Sequence, residues 1–315
     1  MISTSGNLFL LGATGQIGTR LVHELVRLGR PSTLLTRNPE KAISHWDSTL
    51  TPDKRQLVQI VKGDPQVPGD WQAHISEATG VVNLVGESLF AKRWSTSFKQ
   101  TLRDSRTRPT ALIRKTLIQA NNRCPWVNAS AIGFYGASGP GIMDESSPPG
   151  NDFLASLSCD WERELFSDPI VGQRRIALRT GIVLDPNGGA LAKMLPLFRW
   201  GIGGALGLGT YPTSWIHQAD ITGLIIHALD CEKVDGPLNG VSPHPVSNRE
   251  FAKTLAKVLH RPALFPAPVF ALRTVLGEVA MAIASGREVR PRVALETGYS
   301  FRFPFLEGAL TDLLC

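Results

Sequence analysis

A glycine turn between a short apolar run and an amphipathic segment constrains this chain more than any other feature. Residues 7–11 are mostly apolar, and Gly12-Ala13-Thr14-Gly15-Gln16-Ile17-Gly18 follows at once. After it Ile17, Leu21, Leu25 and Leu28 recur at helical spacing, until Gly29 stops the pattern. Such a strand, turn and helix needs glycines for a sharp bend, for close approach of backbone to a pyrophosphate, and for tight contact of helix with strand. The helix N-terminus then offers free N–H groups and partial positive charge to phosphates. The spacing predicts a dinucleotide site on Gly12, Thr14, Gly15, Gln16, Ile17 and Gly18.

The same alternation continues along the chain. Strands are expected at 33–36, 57–61, 80–85, 126–131 and 175–184. Between them, Asn38-Pro39 supplies a cap and a first-turn proline, Ser95 caps a long helix that Pro109 should kink or divide, and residues 153–166 form another helix. Alternating strands and helices predict an α/β fold, a Rossmann doubly wound parallel sheet covered on both faces. From Pro186 the pattern changes, and the glycine-rich stretch 201–209 excludes a regular helix. The expected division is an NADP-binding domain, 1–185 with a return segment 212–242, and a smaller C-terminal substrate or lid lobe, 186–211 and 243–315. The return segment should hold a strand at 214–217, a helix at 221–229 and a main-sheet strand at 238–241. Ser247 with Glu250 makes a capping box for a helix ending near His260. Residues 265–283, with Pro266, Pro268, Arg273 and Glu278, suit a lead-in and an amphipathic helix rather than a membrane span.

Which dinucleotide is held depends on the end of the second strand, where an acid suits the NAD ribose and an arginine the NADP 2′-phosphate. Here stand Thr36 and Arg37, with no acid before Glu40, and Lys41 adds charge nearby. NADP is therefore the expected cofactor. The net charge of +6 is spread along the chain, which favours an anionic ligand but gives nucleic acid no patch. Cys124, Cys159, Cys231 and Cys315 are too scattered for a zinc site or a disulfide scaffold. With no signal-peptide pattern and no membrane span, a cytoplasmic location is expected.

Several motifs add a resemblance. The glycine turn, Asn83-Leu84-Val85-Gly86-Glu87, Ser130-Ala131 and Trp215-Ile216-His217 with Asp220 resemble the extended short-chain dehydrogenases and sugar-nucleotide epimerases. Arg93-Trp94, Ser105-Arg106, Phe134-Tyr135-Gly136, Asp160-Trp161-Glu162, Leu178-Arg179-Thr180-Gly181-Ile182-Val183-Leu184 and Gly188-Gly189-Ala190 resemble, more narrowly, the "epimerase family protein" subgroup. The resemblance implies that Leu84, Val85 and Gly86 pass along the cofactor's ribose and pyrophosphate edge and that Arg106 reaches a phosphate or ribose. It also places Ser130 beside the nicotinamide and Gly181, Ile182 and Val183 at its other edge. Plain core packing, and a solvated helix face for Arg106, are the alternatives.

The superfamily's acid/base is a tyrosine whose pKa is lowered by a lysine four residues on. The three tyrosines here are followed at that spacing by Gly139, Trp215 and Phe303. Aligning Glu162 with the acid that follows the usual motif puts Leu154 and Ser158 where tyrosine and lysine would stand. Ser130 and Tyr135 are the catalytic candidates closest to the expected nicotinamide, with Glu87, Cys159 and Lys193 behind them and His217 read as structural. Two functions fit: an NADP(H)-dependent oxidoreductase or epimerase acting on a small molecule, or a catalytically weak NADP(H)-binding protein acting through a protein partner. A homodimer is compatible with either.

Overall fold

The structure, a computed structural model, describes residues 6–137, 139, 141–262 and 285–315. The segment 265–283, expected to carry a lead-in and a helix, lies outside the described residues.

Among the described residues, seven strands form one parallel sheet: β1 (Leu8–Leu11), β2 (Ser32–Thr36), β3 (Val58–Lys62), β4 (Gly80–Asn83), β5 (Trp126–Ala131), β7 (Arg175–Thr180) and β11 (Gly236–Gly240). Their order is β3-β2-β1-β4-β5-β7-β11, with Leu8 opposite Ser32 on one side and Gly80 on the other. Outside this sheet β6 (Ile142–Met143) pairs with β13 (Glu288–Val289). Chain order reverses between β1 and β4, the switch point at which doubly wound sheets bind ligands beyond the strands' carboxyl ends. This is the doubly wound α/β fold that the alternation predicts.

Strand side chains alternate between faces, and each face has its own core. On one side Leu8, Leu10, Leu34 and Val82 pack with Leu21, Val22 and Leu25 of α1 (Gln16–Arg27), Trp46 of α2 (Pro39–Thr49) and Leu224 of α8 (Gln218–Asp230). A single turn, α3 (Pro52–Arg55), leads from α2 into β3. On the other side, Phe9, Leu11 and Val81 meet Trp71 of α4 (Trp71–Ser76), Ile113 and Leu117 of α5 (Thr96–Gln119) and Leu165 of α6 (Phe153–Phe166). Each fully buried leucine or isoleucine contributes about 1.5–3 kcal/mol. Asn38, Ser95 and Ser247 cap their helices as expected, accepting from the N–H groups of Lys41, Phe98 and Glu250.

Two expectations are corrected. Pro109 does not divide α5, which runs unbroken from Thr96 to Gln119. Losing one main-chain donor costs about 3 kcal/mol, but Leu102 before the proline and Ile113 and Leu117 beyond it are all buried and hold the helix to the core. The single strand expected at 175–184 is two. It breaks at Gly181, where an added Cβ would lie 2.6 Å from the Ser214 carbonyl oxygen. After this close crossing β8 (Ile182–Leu184) leaves the main sheet and pairs with β10 (Trp215–His217).

Beyond β8 comes α7 (Gly189–Arg199), followed by the glycine-rich stretch, which is turns and irregular chain. Leu191, Leu195 and Phe198 of α7 pack with Phe251 and Leu255 of α9 (Asn248–Val258) and with Leu310 of the helix Leu306–Leu314. This third core stands apart from the two that flank the sheet. Among the described residues, no helix is long and apolar enough to cross a membrane.

Candidate functional site

The glycine turn follows β1 at the switch point, and its three glycines do three different jobs. Gly12 has φ +81°, and a Cβ there would lie 2.9 Å from the Leu84 carbonyl carbon, so the turn passes against the end of β4. Gly18 lets helix meet strand, since its Cβ would lie 2.2 Å from the Gly12 carbonyl oxygen. Gly15 is different. Its φ of −80° and ψ of 174° are ordinary, and a Cβ would approach only the Gly12 oxygen, at 3.2 Å. It is the N-cap of α1, no side chain caps that helix, and Thr14, Gly15 and Gln16 are exposed. The first-turn N–H groups therefore face outward with the positive end of a twelve-residue helix behind them.

The other expected contacts gather at the same edge of the sheet. Leu84 donates its N–H to the Leu11 carbonyl and Val85 donates to Asn83 Oδ1, which turns the chain after β4 across the end of β1. A Cβ on Gly86 would sit 3.2 Å from Cζ of Arg106. That arginine, on α5, donates to the carbonyls of Leu102 and Glu87 and lies over the Trp161 ring at 5.2 Å. Loss of hydration lowers its pKa to about 10 despite Glu87, and among the described residues no carboxylate is one of its hydrogen-bond partners. It is a cation with capacity for an anion. Thr36 and Arg37 end β2 beside β1; the Thr36 hydroxyl is tied to Asn38, while Arg37 is exposed and makes no hydrogen bond or ion pair to the described residues.

A cavity of about 500 Å³ opens beyond the strand ends. Of the expected contacts, Gln16, Ile17, Leu84, Val85, Gly86, Arg106, Ser130, Gly181, Ile182 and Val183 line it. Gly12, Thr14, Gly15 and Gly18 lie to its side on the turn, and Thr36 and Arg37 at the end of β2. Most of the remaining wall is apolar, including Leu89, Phe90, Trp94, Leu157, Met194 and Phe251. Leu154 and Ser158, one helical turn apart on α6, both line it and present an isobutyl and a buried hydroxymethyl group.

The two catalytic candidates are linked by hydrogen bonds but not brought to the cavity together. Ser130 lines it and donates to Glu162 Oε1 at 2.7 Å. Glu162 takes two further hydrogen bonds from Arg179, each 2.8 Å. Arg179 also donates to the Tyr135 hydroxyl at 2.9 Å, and that hydroxyl donates to Asn239 Oδ1 at 2.7 Å. Tyr135 is wholly buried and does not line the cavity, and burial pushes its pKa up to about 12. The phenol braces β7 and β11, because strand position fixes which residue is near the cavity but not which way a following 3₁₀ turn sends its side chain. Glu87, Cys159 and Lys193 do not line the cavity either; Lys193 sits over the Phe90 ring at 4.3 Å. His217 is structural here: its Nδ1 accepts the Ala219 N–H at the start of α8, and its ring packs on Phe303.

Glu162 and Arg179 form a buried pair, with side chains 8% and 3% exposed. Removing one partner strands the other charge, so Glu162→Ala is expected to cost about 3–5 kcal/mol in urea unfolding. A loss under about 1 kcal/mol would show that the pair does not hold the strand ends together.

Three features were not read from the sequence. Gly188 and Gly189 leave room for the Gln16 side chain, which would lie 3.0–3.1 Å from a Cβ on either. That pairing ties the turn to the start of α7. Trp161 floors the cavity beneath Arg106. Tyr211 and Thr213 reach it from β9 (Pro212–Thr213) and the residue before it.

Residues 8–156 match the model of the NAD dependent epimerase/dehydratase family, and residues 267–313 match a domain of unknown function, DUF1731. The Arabidopsis thaliana protein named "Epimerase family protein SDR39U1 homolog, chloroplastic" is 37% identical over 96% of this chain and 85% of its own length. The chain belongs to this epimerase family. The crystal structure of human epimerase family protein SDR39U1 (isoform 2) with NADPH has a TM-score of 0.83 to this chain at 31% identity, covering 98% of each. UDP-glucose 4-epimerase from Thermus thermophilus, solved with NAD, has a TM-score of 0.71 at 16% identity over 98% of this chain and 97% of its own, a likeness of fold. The glycine turn, Arg106 and Ser130 all fall within the matched epimerase segment, whereas Gly181, Tyr211 and Thr213 lie beyond it.

Proposed function

We propose that this family member binds NADP(H) across the switch point and uses it as an oxidoreductase or epimerase on a small molecule. The observation that carries the reading is the uncapped N-terminus of α1, open at the carboxyl ends of β1 and β4 beside an apolar cavity. In this reading the pyrophosphate rests on the turn from Gly12 to Gly18, and Leu84, Val85, Gly86 and Arg106 follow the ribose and phosphate edge. The nicotinamide lies between Ser130 and the Gly181, Ile182 and Val183 backbone, while Thr36 and Arg37 receive the 2′-phosphate. The NADPH in the human relative's structure supports the choice of cofactor. The main-sheet elements then serve as the cofactor domain, and α7, α9 and the last helix, with their own core, as the substrate lobe.

The Arg37 assignment has its own test. Arg37→Ala is expected to lower NADPH affinity about tenfold or more while leaving NADH affinity within about twofold, because only the phosphate loses a charge-assisted partner. Equal losses for both nucleotides would remove Arg37 from the 2′-phosphate site.

A second reading, a catalytically weak NADP(H)-binding protein acting through a partner, is favoured by one observation. Leu154 and Ser158 line the cavity where the resemblance would put a tyrosine and a lysine, and the Tyr135 hydroxyl is taken up by Arg179 and Asn239. The two readings separate on turnover.

A further inference from the structure

Buried hydroxyls around this site are almost all partnered. Ser130 donates to Glu162, Ser214 to the Arg287 carbonyl and Thr180 to the Leu178 carbonyl. The Tyr211 hydroxyl and Thr213 Oγ1 differ: both are buried, both belong to residues lining the cavity, and neither has a hydrogen-bond partner among the described residues. Buried polar groups without a partner cost stability and are rare unless something else supplies one. Two residues apart on extended chain, they point to the same side.

Their strand is firmly held. Thr213 pairs with Val246 of β12 (Val246–Ser247), Asn248 donates its N–H to the Tyr211 carbonyl at 3.0 Å, and a Cβ on Gly286 would lie 2.1 Å from the Pro212 carbonyl oxygen. The hydroxyls are thus positioned in advance, and burial raises the Tyr211 pKa, so the phenol remains a donor. The cavity wall is mainly apolar, with Leu154, Leu191, Met194, Leu206 and Phe251 outweighing the polar Ser158, Asn248 and Arg287, and such a lining suits carbon better than a sugar ring or a diphosphate.

We infer that Tyr211 and Thr213 receive the oxygen of a compact, mainly apolar carbonyl or alcohol at the substrate end of the cavity, and that a nucleoside-diphosphate sugar is not the fitting ligand. Which end is the substrate's rests on the NADP(H) reading above; the pair of hydroxyls does not. A site with buried, unpaired donors discriminates against a ligand that lacks the matching oxygen.

The test uses the full chain with NADP+ and matched probes: acetophenone against ethylbenzene, 2-acetylnaphthalene against 2-ethylnaphthalene, with UDP-glucose as the polar comparison. Affinities come from saturation-transfer NMR and competition. The ketone of each pair is expected to bind about 2- to 10-fold more tightly than its hydrocarbon, and the preference should vanish in Tyr211→Phe and shrink in Thr213→Val. UDP-glucose should bind more weakly than either ketone. Both variants should melt at or above the wild-type temperature, because the removed hydroxyls hold nothing in the fold, and should keep wild-type NADPH affinity. Three results would overturn the inference: no ketone preference, a preference unchanged in the variants, or tighter binding of UDP-glucose. Variants that melt several degrees lower would overturn it too, by giving the hydroxyls a structural role. If the wild type fails to bind NADPH, the cofactor reading falls, and the ketone preference is then read on the nucleotide-free chain.

Discussion

Gly15→Val is expected to abolish measurable NADPH binding while the chain stays folded. The two halves of that result come from the same geometry. With φ −80° and ψ 174°, position 15 is in extended conformation that valine adopts readily, and its Cβ, 3.2 Å from the Gly12 oxygen, asks that oxygen to give by a few tenths of an ångström. The isopropyl group would then stand over the first N–H groups of α1, in the space that a pyrophosphate needs. Gly12 and Gly18 cannot serve for this experiment. The first has φ +81°, and the second has a Cβ position 2.2 Å from backbone, so substitution there damages the fold itself. Fluorescence titration with NADPH, beside circular dichroism of the same sample, reads both halves. Retained binding would place the phosphates elsewhere; loss of helical signal would mean that the turn tolerates no side chain at all.

The second large effect concerns catalysis. Epimerisation or oxidation of UDP-glucose and UDP-galactose is expected to run about 10²–10⁴-fold below that of a relative with the tyrosine and lysine in place, the usual contribution of a positioned acid/base. Leu154 has no titratable proton, and Ser158 cannot lower a neighbour's pKa as an ammonium does. The Tyr135 hydroxyl is held between Arg179 and Asn239 and does not line the cavity. Tyr135→Phe should therefore act through stability, with any residual turnover per folded molecule unchanged. NADPH absorbance, with a product assay for epimerisation that leaves net cofactor constant, measures this. Sugar-nucleotide turnover at ordinary enzymatic rates would contradict the account and direct attention back to Ser130 and the Glu162 carboxylate behind it.

Much of the molecule is legible in short windows of sequence, because much of it depends on local chemistry. The turn from Gly12 to Gly18, the caps Asn38, Ser95 and Ser247 and the helix Phe153–Phe166 are of this kind. Gathering Leu84, Arg106, Ser130 and Gly181 at one edge also followed, because parallel strands with right-handed crossovers bring every carboxyl end to the same side. What escaped depends on partners far away in the chain. The break at Gly181 is forced by Ser214, the continuity of α5 through Pro109 by core packing on both halves, and the retreat of Tyr135 by Arg179 and Asn239. Tyr211 and Thr213 sit beside a proline in a two-residue strand, too short for periodicity to mark one face as special.

Calorimetric titration of the purified wild-type chain with NADPH, and separately with NADH, is the most direct test of the central claim. Saturable binding of one NADPH per chain, several-fold tighter than NADH, is the expected result. Absence of saturable NADPH binding, or equal affinity for the two nucleotides, would contradict it.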